Sequence, residues 1–264
     1  MLLMVIRLKK KTNNYKVAVV TGAGSGIGKT VANALMQVGF HTYLVGRNKI
    51  NLNKTKYEAT KQKGYIRCSV FKCDVSNENN VKELFSDIKN NHERIDLLFN
   101  NAGINIPAET IDKVKFKDWK KVIDTNINGM FLCAKYSFQM MKIQKPKGGR
   151  IINNGSISAF SPRPKSVAYT TSKHAITGLT KSLSLDGRKY KIISSQIDIG
   201  NALTPLTKAF TKGVVQPNGK KIIEPTMNAE NVAKLVLLIA NLPLDTNILN
   251  TTIMANNMPF IGRG

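Results

Sequence analysis

Tyr169 and Lys173 stand four residues apart in Tyr169-Thr170-Thr171-Ser172-Lys173, and on a helix that spacing puts both side chains on one face. A free phenol, with a pKa of about 10, is a poor base at neutral pH. A neighbouring ammonium favours the phenolate and lowers that value, so the pair can take a proton from an alcohol or return one to an alkoxide. Ser156, upstream, offers a hydroxyl that can hydrogen-bond the same oxygen. Each residue also has a plain structural use: a satisfied buried tyrosine, a solvated lysine, a serine at a turn.

A second chemistry sits near the start of the chain. The apolar run Lys16–Thr21 leads into Thr21-Gly22-Ala23-Gly24-Ser25-Gly26-Ile27-Gly28. Gly22 permits a tight turn off a strand, and Gly26 and Gly28 allow close approach of a ligand and of helix to sheet. A helix starting here would present free N–H groups to a pyrophosphate. Gly26-Ile27-Gly28-Lys29-Thr30 also resembles the end of a nucleoside-triphosphatase phosphate loop. Counting back from Gly28, that loop needs glycine where Ala23 stands, and the match fails.

The elements that must position these groups alternate along the chain. Short apolar runs at 16–21, 41–45, 65–73, 95–99, 150–153, 191–197 and 248–254 read as strands covered on both faces. Between them, 26–38, 48–63, 76–91, 116–142, 166–186 and 229–240 read as helices, with Ser76 capping the third. In the helix at 166–186, Ala168, Ala175, Gly178, Leu179 and Leu183 are expected to face inward. The alternation predicts a three-layer α/β/α fold, a doubly wound parallel sheet of about seven strands. One domain is expected over 15–264, with an N-terminal extension at 1–14 and a substrate lid in the irregular stretch at 201–226.

Further motifs then fall into order: Asn100-Asn101-Ala102-Gly103 after the fourth strand, Asn126 inside the long helix, Ser156 after the fifth strand, and Tyr169 to Lys173 opening the next helix. With the glycine loop, this pattern resembles the single-domain branch of the short-chain dehydrogenase/reductase family over roughly residues 15–255. The resemblance implies hydride transfer between a nicotinamide dinucleotide and a carbonyl or alcohol, with Tyr169 as acid/base, Lys173 and Ser156 beside it, and Asn126 kinking its helix and holding a water that relays protons to Lys173. It implies cofactor contacts from Gly22, Ser25, Gly26, Ile27, Gly28, Asn101, Ala102, Gly103, Tyr169, Lys173, Gly200 and Thr204, with Asp74-Val75 at the adenine. It also implies a homodimer or homotetramer, for which the apolar helix at 232–240 and the last strand are candidate contacts. After the sixth strand, Ile199 stands where the family usually has proline, so a less rigid loop is expected there.

The second strand ends Val45-Gly46-Arg47-Asn48, without the acid that would hydrogen-bond a ribose 2′-hydroxyl. Arg47 instead offers a forked guanidinium suited to a 2′-phosphate, so NADP(H) is expected over NAD(H). The substrate is not written in the sequence. Phe160, Phe210 and Val214–Val215 offer apolar walls, and Lys208, Lys212, Lys220 and Lys221 either favour an anionic substrate or belong to a general lysine excess.

That excess is large: 40 Lys and Arg against 16 Asp and Glu, a net charge of +24. The lysines are dispersed and outnumber arginine, whereas a dedicated nucleic-acid site clusters arginine with exposed aromatics. No specific nucleic-acid partner is expected. No apolar run approaches the roughly 18 residues of a membrane helix, and the charges after Met1–Ile6 are placed wrongly for a signal peptide. Three cysteines without a paired spacing speak against disulfides and structural zinc, so no metal and a cytosolic location are expected. None of the three histidines is assigned to catalysis; His174 points away from Lys173 around the helix and is read as packing.

Overall fold

The computed structural model describes residues 15–205 and 207–261; the expected extension at 1–14 lies outside them. A seven-stranded sheet forms the centre, in the order β3-β2-β1-β4-β5-β6-β9. Its strands are β1 (Val17–Thr21), β2 (His41–Gly46), β3 (Cys68–Lys72), β4 (Leu97–Asn100), β5 (Gly149–Asn154), β6 (Ile192–Gly200) and β9 (Asn250–Met254). Every pairing in it is parallel.

The helices are α1 (Gly26–Gln37), α2 (Lys49–Lys63), α3 (Glu78–His92), α4 (Phe116–Ile123), α5 (Gly129–Ile143), α6 (Val167–Gly187) and α7 (Ala229–Asn241). They cover both sheet faces, and strand alternation decides which residue meets which layer. Ala18 and Val20 join Val31, Leu35, Val232 and Val236 in one core. Val17 and Val19 join Leu84, Ile88, Cys133 and Met141 in the other. The strand order reverses between β1 and β4, and the loops leaving the carboxyl ends of these strands open a crevice there.

Four local readings change. The cap of α3 is Asn77, whose side chain accepts from the N–H groups of Asn79 and Asn80, while Ser76 turns back to Asp74. The helix read over 116–142 is interrupted by a π-helical turn, Asp124–Asn128, that contains Asn126. On α6 the fully covered stripe is Ala168, Ser172, Lys173, Ile176 and Thr180, while Gly178 is exposed and Ala175, Leu179 and Leu183 are only partly covered. The polar members of that stripe are buried because each finds a partner. Finally, β6 runs on to Gly200. Ile199 keeps the N–H that proline lacks and pairs with Ile253, so this segment is strand and not a loosened loop.

The 201–226 stretch carries a short 3₁₀ turn (Lys208–Lys212) and a two-stranded hairpin of β7 (Val214–Val215) and β8 (Lys221–Ile222). Among the described residues no helix is long and apolar enough to cross a membrane.

Candidate active site

The loop after β1 is built to admit an anion. Gly22 has φ of +68°, and a Cβ there would lie 2.9 Å from Asn101 Nδ2. A Cβ on Gly28 would overlap the Gly22 carbonyl oxygen, so the helix can pack on the turn only without a side chain. Ser25 starts α1 but makes no side-chain cap, and the first turn carries no acid. The first amide donating inside the helix is that of Lys29, to Ser25 O, which leaves the preceding N–H groups for a ligand. A ring of partners steadies this bend. Thr21 Oγ1 accepts from the amides of Asn101 and Ala102, and Asn101 Nδ2 donates to Thr21 O at 2.8 Å. Asn154 Nδ2 donates to Asn101 Oδ1 at 2.7 Å. The Asn101 side chain is therefore spent on joining three strand ends.

One cleft of about 350 Å³ runs along the carboxyl ends of the strands. It is lined by Gly22, Ser25, Gly26, Ile27 and Gly28, by Arg47 after β2, Asp74 and Val75 after β3, Asn101, Ala102 and Gly103 after β4, Tyr169 and Lys173 of α6, and Thr204. These are expected cofactor contacts, gathered from positions far apart in the chain. Gly200 is the exception. It sits behind the wall, where its Cβ position faces Met254, Met258 and Ile157. Glycine backbone, unspent helix N–H groups and an arginine at the end of β2 together fit a dinucleotide carrying phosphates.

Toward the other end of the cleft, Lys173 Nζ lies 5.5 Å from the centre of the Tyr169 ring and donates to Asn154 O at 2.7 Å. Burial pulls Lys173 down to about 8, with the charge of Asp198 acting in the opposite sense. Burial raises the Tyr169 phenol, and a hydrogen bond from Ser156 partly offsets it. The lowering expected from the Lys173 ammonium does not appear, and burial sets the direction. Ser156 is itself held: its amide donates to Asp198 Oδ1 at 2.9 Å and its Oγ accepts from Ser158 N at 3.1 Å.

Asn126 lies behind this trio, fully buried. Its Oδ1 accepts from Ile104 N at 2.8 Å, and its Nδ2 donates to Ile104 O at 2.9 Å and to Ser172 Oγ at 3.0 Å. Both amide hydrogens are thus engaged, and the side chain fastens the π turn to the loop after β4 and to α6.

Sequence reasoning missed several neighbours. Asn154 and Thr207 line the cleft without belonging to any quoted motif, and Asn48 and Thr125, which stand beside Arg47 and Asn126 and carry no role in the sequence reading, line it too. Asp198, fully buried beside Ser156, was visible only as a charge inside the apolar run Ile197-Asp198-Ile199. The 201–226 stretch is anchored by Glu224, whose carboxylate accepts from Arg163 at 2.6 and 2.5 Å, Asn201 at 2.7 Å and Gln216 at 2.8 Å. Arg163 in turn lies 4.7 Å from the centre of the Phe210 ring, so that expected pocket wall is a support for the anchor. Phe160, another, is exposed. His174 is exposed too and bonds Thr170 O rather than packing in the interior. His41 and His92 stack with Tyr15 and Tyr43 where β2 begins and α3 ends, away from the cleft. Burial, then the charges of His92 and Arg67, hold His41 at about 4. Among the described residues no group of acids, histidines and cysteines could hold a metal ion, and all three cysteines are free.

Comparisons with known proteins agree with the fold. Residues 16–214 match the family model described as short chain dehydrogenase. The chain is 36% identical to 3beta-hydroxysteroid dehydrogenase of Mediterraneibacter gnavus over 193 residues, covering 73% of this chain and 68% of the relative. It superposes on an actinorhodin polyketide ketoreductase solved with NADPH (TM-score 0.80, 23% identity, 91% and 96% of the two chains). It superposes similarly on a 3-ketoacyl-(acyl-carrier-protein) reductase of Brucella melitensis solved with NADH (TM-score 0.79, 22% identity, 92% and 98%). The seven-stranded parallel sheet is thus that of an oxidoreductase, and the chain belongs to the short chain dehydrogenase family.

Proposed function

We propose that this protein reduces a ketone to a secondary alcohol at the expense of NADPH, with Tyr169 as the proton donor. The observation that carries the reading is the shared wall of one cleft: Tyr169 and Lys173 at one end, the glycine bend and Arg47 at the other. When bound, the reduced nicotinamide supplies the hydride. The chain's own residues do the rest. Ser156 holds the substrate oxygen by a hydrogen bond and sets its distance from the hydride donor. Tyr169 gives its phenolic proton to that oxygen as negative charge develops there. A phenol held high by burial is protonated at neutral pH, as a reductase needs. Lys173 stabilises the phenolate that remains. In this reading Asn126 keeps the π turn in place and, as the family likeness implies, holds a water that relays protons to Lys173.

NADPH is favoured over NADH because Arg47 lines the cleft where β2 ends, and no carboxylate stands there to meet a ribose hydroxyl. Relatives are named for both cofactors, so this choice rests on the side chain and not on the comparisons. The relatives' names, a hydroxysteroid dehydrogenase and two ketoreductases, support a small-molecule ketone or secondary alcohol as substrate. The reading includes a cytosolic enzyme with reduced cysteines, assembled as a dimer or tetramer through α7 and β9. Leu238 is exposed on that helix and β9 is an edge strand.

The test is a panel of ketones, aliphatic, cyclic and acyl-thioester-linked, offered with NADPH and followed by the absorbance of the reduced nicotinamide. Ketone-dependent oxidation of NADPH is expected for at least one class. Its absence for every class, with tight NADPH binding intact, would leave a dinucleotide-binding protein without this activity.

A further inference from the structure

Asp198 is a buried carboxylate behind the candidate site, next to the cleft-lining Ile199, and nothing in the reaction described above uses it. It is fully covered, on β6, beneath the corner where β5 ends. Its Oδ1 accepts from the Ser156 amide at 2.9 Å and from Gln196 Nε2 at 2.8 Å, and its Oδ2 accepts from Asn250 Nδ2 at 2.8 Å. Among the described residues no lysine, arginine or histidine nitrogen forms an ion pair with it. A buried charge held only by neutral donors is costly, so its presence asks for a compensating use.

The geometry supplies one. Lys173 Nζ grips the carbonyl of Asn154, and Asp198 grips the amide of Ser156. The corner Asn154-Gly155-Ser156 is thus pinned at one end by a buried cation and at the other by a buried anion. Between them, the Gly155 amide donates to Ile197 O at 2.8 Å, and a Cβ on Gly155 would overlap Asp198 Oδ1. The carboxylate can reach the Ser156 amide only because residue 155 has no side chain.

We infer that Asp198 is a positioning residue: it fixes the corner that presents the Ser156 hydroxyl and serves as the buried counter-charge to Lys173 across that corner. This rests on the reductase reading. The charged and titratable groups around the corner are Tyr169 and Lys173 from α6 and Asp198 from β6, while β5 and β9 present the neutral Asn154, Ser156 and Asn250. Asp198 opposes the desolvation that pulls Lys173 down, so its removal moves the lysine further the same way.

The test compares wild type, Asp198→Asn and Asp198→Ser, the last being smaller and still offering an oxygen to the Ser156 amide. With any ketone that wild type turns over, kcat is expected to fall about tenfold to a hundredfold while KM for NADPH holds. The alkaline limb of the reduction rate is expected to move acidward by about one pH unit. A purely structural role would lower stability without moving that limb. A titration of isotope-labelled lysine by NMR, read at the resonance that Lys173→Met removes, gives the amine's pKa without turnover. It drops in a folded neutral variant if the assignment holds. An unchanged lysine titration in a variant that still binds NADPH would overturn it. If wild type turns over no ketone, the reductase reading fails, and the lysine titration still judges this one.

Discussion

At the scale of single residues, the chemistry depends on what burial does to ordinary groups. Tyr169 and Lys173 are shifted in opposite directions by the same cause, loss of water, which disfavours the charge each would carry. A neutral phenol and an amine poised at about 8 suit a proton donor that must refill. In the proposed function Arg47 sets the cofactor preference. Arg47→Glu is expected to weaken NADPH binding at least tenfold more than NADH binding, measured by fluorescence titration of each, because a carboxylate repels the 2′-phosphate and can accept from a 2′-hydroxyl. Equal weakening would remove Arg47 from the phosphate site. The residues behind these expectations were legible because each motif is local: Tyr169 and Lys173 are one turn apart, and Arg47 adjoins its strand. Asp198 was visible as an anomaly, but its partners Ser156 and Asn250 lie 42 and 52 residues away, and no spacing rule joins them.

Among the elements, the glycine bend and the π turn do the positioning. Gly28 touches the carbonyl of Gly22 so closely that any Cβ pushes α1 off the strand end. Gly28→Ala is expected to cost more than about 1 kcal/mol in a denaturant titration and to abolish tight NADPH binding, with the second loss the larger. If binding survives unchanged, the helix N-terminus is not the phosphate site. The element boundaries mostly followed from apolar runs and glycine stops. Two of the four readings that moved show the physical reasons. A single helix cannot be told from one with a π turn by periodicity, since the extra residue shifts the stripe by only part of a turn. The inward face of α6 was read from apolar residues, while the structure buries Ser172, Lys173 and Thr180, whose partners come from β5, β6 and the helix itself.

Over the whole molecule, the parallel sheet collects its carboxyl ends into one cleft, and the proposed lid at 201–226 borders it through Asn201, Ala202, Thr204, Pro205 and Thr207. Burial pushes the Glu224 carboxyl up, but hydrogen bonds from Arg163, Asn201 and Gln216, with the Arg163 charge, hold it at about 2. A depressed carboxyl contributes stability above its unfolded value of about 4.3 and loses it as pH falls toward 2. The lid is therefore expected to loosen in that window before the sheet unfolds, seen as early proteolysis within 201–226. Glu224→Gln should loosen it at neutral pH, at a cost of about 3 kcal/mol, and raise KM for the ketone more than it lowers kcat. A lid that resists protease as wild type does would show that the anchor is not needed. No sequence rule pairs Arg163 with Glu224 across 61 residues, so what anchors the 201–226 stretch was not legible. The net charge of +24 is a property of the whole surface and plays no part in this geometry.

The most direct measurement is Tyr169→Phe, which removes one oxygen and leaves the cleft and its glycine bend in place. NADPH should bind as in wild type, while NADPH oxidation with the best ketone of the panel falls by a factor of about 100 or more. Undiminished turnover in that variant would contradict the account at its centre.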